Sequence, residues 1–448
     1  MIATSGSRKS ENLTTALHWK YSIVISIALT LCITTHKVFY ALDHEHVAPD
    51  TASYMIPADN LLHKHMFADT LRQPETDRTP GYPLVLIIFL ATHIRLECLI
   101  IIQHILCVLL VVAATGIIFS MTESISAALV VAFILSLDIP TLLCANLLLT
   151  ETLFTVNIAM TSYALYIAVT KHEQSRFAWI LTGVIGGISV LIRPIAFLYC
   201  AALAAYVWLT LRKRFIGPVV LTVISFLLPS VIWATRNYVA VGYWGVSTVG
   251  ATDLLYYRAA GALAVQQPGN YYKNIFMVRS ALIQETCTNL ELIFKQGCTQ
   301  ITKTDKSSYM IVKGLHIILM NPWGYLRSML YALSYVLFGG GAETLSRLAH
   351  IDPHIAKYLL LLVTIPEVCL AIAGIGYWRR RDRKLCYVLV ATIAYFLLIS
   401  LGAEAYSRFR VPVMPQYALL IGGGVVRIIQ FVHRACGNNN RIIKTEQL

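Results

Sequence analysis

The chain has 448 residues, is 57% hydrophobic and only 13% charged, and carries a formal net charge of +13, whereas ordinary soluble domains hold about 25% charged residues. With a mean hydropathy of +0.65, that composition excludes a protein whose only solvent is water. The positive excess does not form the single basic stripe of a nucleic-acid-binding domain. It gathers at the ends of apolar runs, at Arg8, Lys9 and Lys20, Lys171 and Arg176, Arg212-Lys213-Arg214, Arg379-Arg380-Arg381 with Arg383 and Lys384, and Arg434, Arg441 and Lys444. Cytoplasmic loops of membrane proteins carry this bias, so membrane lipids are the expected surroundings and no nucleic acid is an expected partner.

A helix rises about 1.5 Å per residue and the hydrocarbon core is about 30 Å thick, so a span takes roughly 17 to 25 apolar residues. Ten runs are candidate spans, at about 21–40, 99–119, 126–144, 152–170, 178–196, 197–211, 217–235, 357–377, 385–402 and 411–432. The first is too long for the apolar region of a cleavable signal and leads into acid-rich sequence. The basic N-terminus places residue 1 inside, and the loop at about 42–81 is then outside. It carries seven acids (Asp43, Glu45, Asp50, Asp59, Asp69, Glu75, Asp77) against three basic residues.

A shorter run, Tyr82 to Ile94, makes about 20 Å of helix. Were it a full crossing, Lys171 and Arg176 would emerge outside, against the positive-inside bias; a re-entrant or interfacial element is expected instead. The same parity makes 237–354 a large extracytoplasmic segment, with the stretch near Ile317–Phe338 interfacial or re-entrant. The expected architecture is therefore an all-α integral membrane protein of about ten spans in three parts. Residues 1–236 form a membrane core with its first outer loop, 237–354 the outer segment, and 355–448 the C-terminal spans and cytoplasmic tail. Of the ten cysteines, only Cys287 and Cys298 lie in a long polar stretch, where an extracytoplasmic setting permits a disulfide.

The first outer loop holds Pro49-Asp50-Thr51-Ala52-Ser53-Tyr54 and closes on Arg78-Thr79-Pro80-Gly81-Tyr82-Pro83. Two prolines and a glycine make a turn that cannot be helix interior. Parity puts Asp50, Arg78, Glu151, Arg193, Arg236, Arg408 and Arg410 on one side of the membrane. His44, His46, His63 and His65 form two His-x-His pairs; such pairs can ligate a metal, but a solvated loop is the simpler account. Asp138 and Glu367, near span ends, are taken as structural. Tyr40, Tyr54, Trp208, Trp233, Trp244 and Trp323 are taken as an interfacial aromatic belt.

Taken in order, these motifs resemble the membrane glycosyltransferases that draw a sugar from a polyprenyl- or dolichyl-phosphate carrier, among them protein O-mannosyltransferases and aminoarabinose transferases. Asp50, Tyr54 and Arg78–Pro83 match the acid, tyrosine and basic-proline turn of that family's first outer loop. Leu149-Thr150-Glu151-Thr152 resembles its acidic second turn, and Leu191-Ile192-Arg193-Pro194 its later Arg-Pro. Trp233 to Tyr238, with Gly242 and Ser247-Thr248-Val249-Gly250, resembles the opening of its outer region. Glu404, Arg408-Phe409-Arg410, Pro412 and Pro415 resemble its final arginine-proline element.

One departure is Thr79-Pro80-Gly81, where the protein O-mannosyltransferases have His-Pro-Pro; it points away from a protein acceptor. The resemblance implies Asp50 as general base, Arg78, Arg236 and Arg408 on the lipid phosphate, and Tyr54, Tyr82, Glu151, Arg193, Asn237 and Arg410 around the substrates. It implies a polyprenyl-phosphate-linked sugar donor, a glycan or lipid acceptor, and no cofactor, with a divalent metal left open. The implied setting is a bacterial inner membrane with the site facing the periplasm. A flippase of lipid-linked sugars, or a ligase or polymerase using a pyrophosphate carrier, are the alternatives.

Overall fold

In lipid the backbone must satisfy its own polar groups, which leaves helices and closed barrels. In the computed structural model the described residues form helices, with one isolated bridge, Ala68 to Pro74, as their extended pairing. Residues 4–212, 216–402 and 406–445 are described, with side chains from 18 to 436 within them; Lys213, Arg214 and Glu404 lie outside, as do the side chains of Arg8, Lys9, Arg441 and Lys444.

The first half runs through α1 (Thr4–Leu42), α2 (Thr51–Lys64), α3 (Gly81–Ala91), α4 (Glu97–Thr122), α5 (Ile125–Leu137), α6 (Ile139–Asn146), α7 (Glu151–Lys171), α8 (Arg176–Ile192), α9 (Tyr199–Leu211) and α10 (Ile216–Val241). There follow α11 (Val249–Asp253), a π-helical turn at Leu254–Ala259, α12 (Ala260–Ala264), α13 (Tyr271–Phe294), α14 (Lys303–Met320), α15 (Pro322–Phe338) and α16 (Ala342–Ala349). The chain closes with α17 (Pro353–Arg381), α18 (Arg383–Ile399), a 3₁₀ segment at Ser407–Val413, and α19 (Met414–Thr445). Helix starts are chemically marked. The side chains of Ser124, Asp138, Ser175, Asn270, Thr302, Asp352 and Asp382 each accept a backbone N–H of the first turn, satisfying donors that have no partner inside the helix.

The protein is a multi-pass membrane protein. Among the described residues, seven helices are long and apolar enough to cross a bilayer, and α5 with α6, bent by 48°, makes up to eight. The expected ten is corrected accordingly. Runs 178–196 and 385–402 become α8 and α18, of 17 residues each, or about 25 Å of helix. The chain leaves helical geometry at Arg193, ahead of Pro194, and α18 begins only after its Asp382 cap. The short run after the first loop is the 11-residue α3, and Asn321-Pro322 divides the stretch near Ile317–Phe338 into α14 and α15. Cys287 and Cys298 are disulfide-bonded.

Small residues let the helices approach. A Cβ on Gly374 of α17 would collide with the Leu420 carbonyl of α19, and one on Gly424 with the Leu370 carbonyl. Gly187 of α8 faces the Phe226 carbonyl of α10, where a Cβ would lie 2.5 Å away. Close backbone approach of this kind is a main source of packing energy where lipid removes the hydrophobic drive. Buried hydroxyls and an amide also link α7, α9, α18 and α19: Tyr199 Oη lies 2.8 Å from Thr392 Oγ1, and Gln416 donates to Ser162 Oγ at 3.1 Å.

Candidate active site

The segment before α2 is stapled to the turn before α7. The Leu148 amide donates to the His46 carbonyl (2.9 Å), Asn146 donates to the Asp43 carbonyl (2.7 Å), and Thr51 Oγ1 accepts from Ala48 N (2.9 Å) while donating to the Leu148 carbonyl (3.1 Å). This brings residue 50 beside residue 151. Asp50 occupies the N-cap position of α2, yet its side chain accepts no capping hydrogen bond, although aspartate is among the favoured caps. Its carboxylate faces two arginines instead: Arg78 Nη2 to Oδ1 and Arg408 Nη2 to Oδ2, each at 3.3 Å. Arg78 also donates to Tyr54 Oη (3.2 Å) and lies 4.7 Å above that ring. Tyr54 packs edge-on against Tyr82, at 5.4 Å between centroids.

The loop that delivers Arg78 is tied down at many points. Glu75 Oε1 accepts the amides of Asp77 (2.5 Å) and Arg78 (3.2 Å). Lys303 of α14 lies 3.2 Å from both Asp69 and Asp77, and Thr248 Oγ1 donates to Asp77 Oδ1. Burial pushes the Glu75 carboxyl above its usual range, with Lys303 pulling the other way.

Beside this group lies a second pair, Arg193 Nη1 to Glu151 Oε1 at 2.6 Å. Their side chains are 18% and 3% exposed, against 24%, 37% and 32% for Arg78, Asp50 and Arg408. The Glu151 pair is therefore closed in, while the Asp50 group is reachable from solvent. Arg193 arrives here because α3 packs on the end of α8. A Cβ on Gly81 would lie 2.5 Å from the Leu191 carbonyl oxygen, two residues before Arg193. Gly81→Val is expected to force α3 from α8 and destabilise the fold by about 1–3 kcal/mol, the usual range for overpacking. Thermal unfolding in detergent measures it, and an unchanged midpoint would refute the close fit.

The structure thus gathers Asp50, Tyr54, Arg78, Tyr82, Glu151, Arg193 and Arg408, and leaves three of the sequence candidates elsewhere. Arg236 donates to the carbonyls of Glu75 and Phe67, each at 2.6 Å, and stacks at 5.3 Å on the Phe67 ring and 5.0 Å on the Trp233 ring. It acts as a clasp on the Arg78 loop. Asn237 donates to the Gly245 carbonyl (2.8 Å). Arg410 pairs with Asp138 (2.5 Å) and donates to the Leu337 carbonyl (3.0 Å). In a 3₁₀ segment residues two apart diverge, so Arg408 and Arg410 face different acids.

Tyr54 and Trp233, taken as belt residues, instead pack beneath Arg78 and Arg236. His46 lies 3.1 Å from the Asn146 carbonyl and His63 is 3.5 Å from Asp59. Among the described residues no group of three or more His, Cys, Asp or Glu is arranged to hold a metal.

Three further residues near this group were given no role from the sequence, although Phe409 was named there within its arginine-proline element. Gln103 accepts from Tyr82 Oη (3.4 Å) and donates to the Leu147 carbonyl (2.8 Å). Phe409 lies beneath both Arg193 and Arg408, at 6.0 and 5.4 Å. Asp253, at the end of α11, feels Arg78 and Arg193; a lone acid among small and apolar residues was its one sequence signal.

No family model matches the chain, and no curated protein matches it. Among solved structures it is similar to the archaeal oligosaccharyltransferase AglB from Archaeoglobus fulgidus, determined in complex with an inhibitory peptide and a dolichol-phosphate. The TM-score is 0.49 at 13% identity, over 94% of this chain and 52% of that one. The chain spans about half the length of that protein.

Proposed function

We propose that the protein is a glycosyltransferase that moves a sugar from a polyprenyl-phosphate carrier to a hydroxyl of a glycan or lipid-linked acceptor at the outer face of the membrane. The observation that carries this reading is the pair of guanidinium groups, Arg78 and Arg408, held on one carboxylate where the first outer loop meets α3. A sugar on a phosphodiester already has a good leaving group, so the chemistry needs a base for the acceptor hydroxyl and cations for the departing phosphate. In the proposed step the acceptor oxygen attacks the anomeric carbon and its proton passes to Asp50. The anomeric C–O bond to phosphate breaks, and the phosphate monoester leaves with the electron pair toward Arg78 and Arg408. A single displacement inverts the anomeric centre.

The geometry is compatible with these roles. At 3.3 Å the two contacts to Asp50 are long beside the roughly 2.7–2.9 Å of charge-assisted bonds, which leaves the carboxylate lone pairs for a substrate. Guanidinium forks match phosphate oxygens two at a time. Glu151 and Arg193 form the wall beneath, with Tyr54, backed by the buried Tyr82, supporting Arg78; Arg236, Asn237 and Arg410 serve by fixing the loops. A bacterial inner membrane with a periplasmic site fits the charge bias of the loops, and the Cys287–Cys298 disulfide suits an oxidising side.

The test is mass spectrometry of envelope lipids and glycans from cells with and without the protein. In parallel, the purified protein in nanodiscs is given undecaprenyl-phosphate mannose, glucose and aminoarabinose with an envelope lipid extract. One acceptor should gain a single sugar mass as undecaprenyl phosphate is released. Donor moved across the bilayer with no new glycosidic bond would refute the transferase and favour a flippase.

A further inference from the structure

Three carboxylates of the loop that carries Arg78 converge on one ammonium group. Lys303 Nζ lies 3.2 Å from Asp69 Oδ2, 3.2 Å from Asp77 Oδ2 and 3.8 Å from Glu75 Oε1. Among the described residues it is the one cation in an ion pair with any of the three. It comes from a distant part of the chain, the first turn of α14, whose start Thr302 caps. A lysine there stands against the positive end of the helix dipole, and the three acids offset that cost. One residue on, Thr304 Oγ1 donates to the Val241 carbonyl at the end of α10 (3.2 Å). The ammonium is thus delivered from a helix end that is itself held in place.

Both oxygens of Asp77 are taken, Oδ1 by Thr248 Oγ1 and Oδ2 by Lys303. Asp77 is the chain neighbour of Arg78, whose guanidinium is turned instead to Asp50 and Tyr54. Glu75, its side chain 8% exposed, accepts the amides of Asp77 and Arg78 through the same Oε1 that faces Lys303. Without the ammonium, three negative charges would flank the arginine proposed to meet a phosphate. A freed Asp77 would also compete with that phosphate for the guanidinium.

We propose that Lys303 is a positioning residue for the donor, neutralising the acids that flank Arg78 and so keeping that guanidinium available to the lipid phosphate. The inference deepens the transferase reading above and rests on it. It makes the outer segment a working part of the donor site, acting through Arg78.

A pH dependence follows. Burial pushes the Glu75 carboxyl above its usual range, the Lys303 ammonium pulls it down, and the Asp77 charge pushes it up. Asp69 shares the lysine, Arg236 of α10 holds the Glu75 carbonyl, and Tyr243 Oη donates to the Ser247 carbonyl. Ionised Glu75 is the form that pairs with Lys303 and best accepts the two amides. Donor affinity should therefore fall in acid as Glu75 takes up a proton. Once Lys303 is removed, that fall should begin at higher pH.

The experiment measures undecaprenyl phosphate binding against pH in nanodiscs, with transfer from undecaprenyl-phosphate hexoses in parallel. It compares wild type, Lys303→Met, Lys303→Arg and the double variant Lys303→Met, Asp77→Asn. Lys303→Met should weaken binding by about fivefold or more, the lower end of couplings between separate sites, and move its acid limb to higher pH. Turnover at saturating donor should fall less than affinity does, and Lys303→Arg should keep most of the affinity. The double variant should regain binding, a repair that a collapsed loop would not show. Equal affinity in wild type and Lys303→Met, or a loss that Asp77→Asn leaves unrepaired, would overturn the positioning role alone. Wild type that shows these binding differences yet transfers no sugar would overturn the transferase reading and leave Lys303 its part in phosphate binding. Wild type that binds no undecaprenyl phosphate would overturn both.

Discussion

Asp50→Asn is expected to lower sugar transfer by about 10²–10⁴-fold, the usual worth of a positioned base, while the protein still binds undecaprenyl phosphate. The substitution keeps the shape of the side chain but removes the charge that Arg78 and Arg408 share at 3.3 Å each. With that charge gone, both guanidinium groups turn more freely to an anion, so affinity for undecaprenyl phosphate should hold or increase. The opposite pattern belongs to Arg78→Ala, in which phosphate binding weakens. Transfer assayed with saturating undecaprenyl-phosphate hexose, alongside equilibrium binding of undecaprenyl phosphate, separates the two. Unimpaired turnover by Asp50→Asn would remove Asp50 from the role of base.

The second large effect falls on stability. Glu151→Gln leaves Arg193 as a buried charge without its partner, since Glu151 is 3% exposed and receives the guanidinium at 2.6 Å. Breaking a buried ion pair on one side typically costs about 3–5 kcal/mol. The midpoint of thermal unfolding in detergent should fall sharply, and activity with it, because the Phe409 ring lies against both Arg193 and Arg408. The double variant Glu151→Gln, Arg193→Met should recover much of the stability, since a neutral pair carries no uncompensated charge. A double variant no more stable than Glu151→Gln would show that the pair acts through something other than charge compensation.

Part of the site was legible in the chain as written. Asp50 and Arg78 stand out because prolines and a glycine bracket them in a loop between apolar runs. Arg408 stands out because arginine next to a membrane span is costly unless it has a partner. What was not legible is which arginine meets which acid. Arg236 and Arg410 stand at the ends of apolar runs as Arg78 and Arg408 do, yet they hold carbonyls and Asp138 rather than Asp50. The direction of a side chain from a loop or a 3₁₀ turn depends on dihedral angles that a pattern of residue types does not encode.

The sequence by itself determined the membrane setting, the approximate places of the apolar helices, the short α3 after the first loop, and the polar stretch in which Cys287 and Cys298 pair. These follow from local quantities: the length of an apolar run against bilayer thickness, the position of proline, and the distribution of charge. Tertiary structure alone decided that Glu151 is consumed by Arg193, that Gly81 must be glycine to seat α3 on α8, and that Lys303 of α14 fastens Asp69 and Asp77 of the loop carrying Arg78. Those are contacts between segments tens to hundreds of residues apart, fixed by close packing and by the need of each buried charge for a partner, and no single segment contains the information.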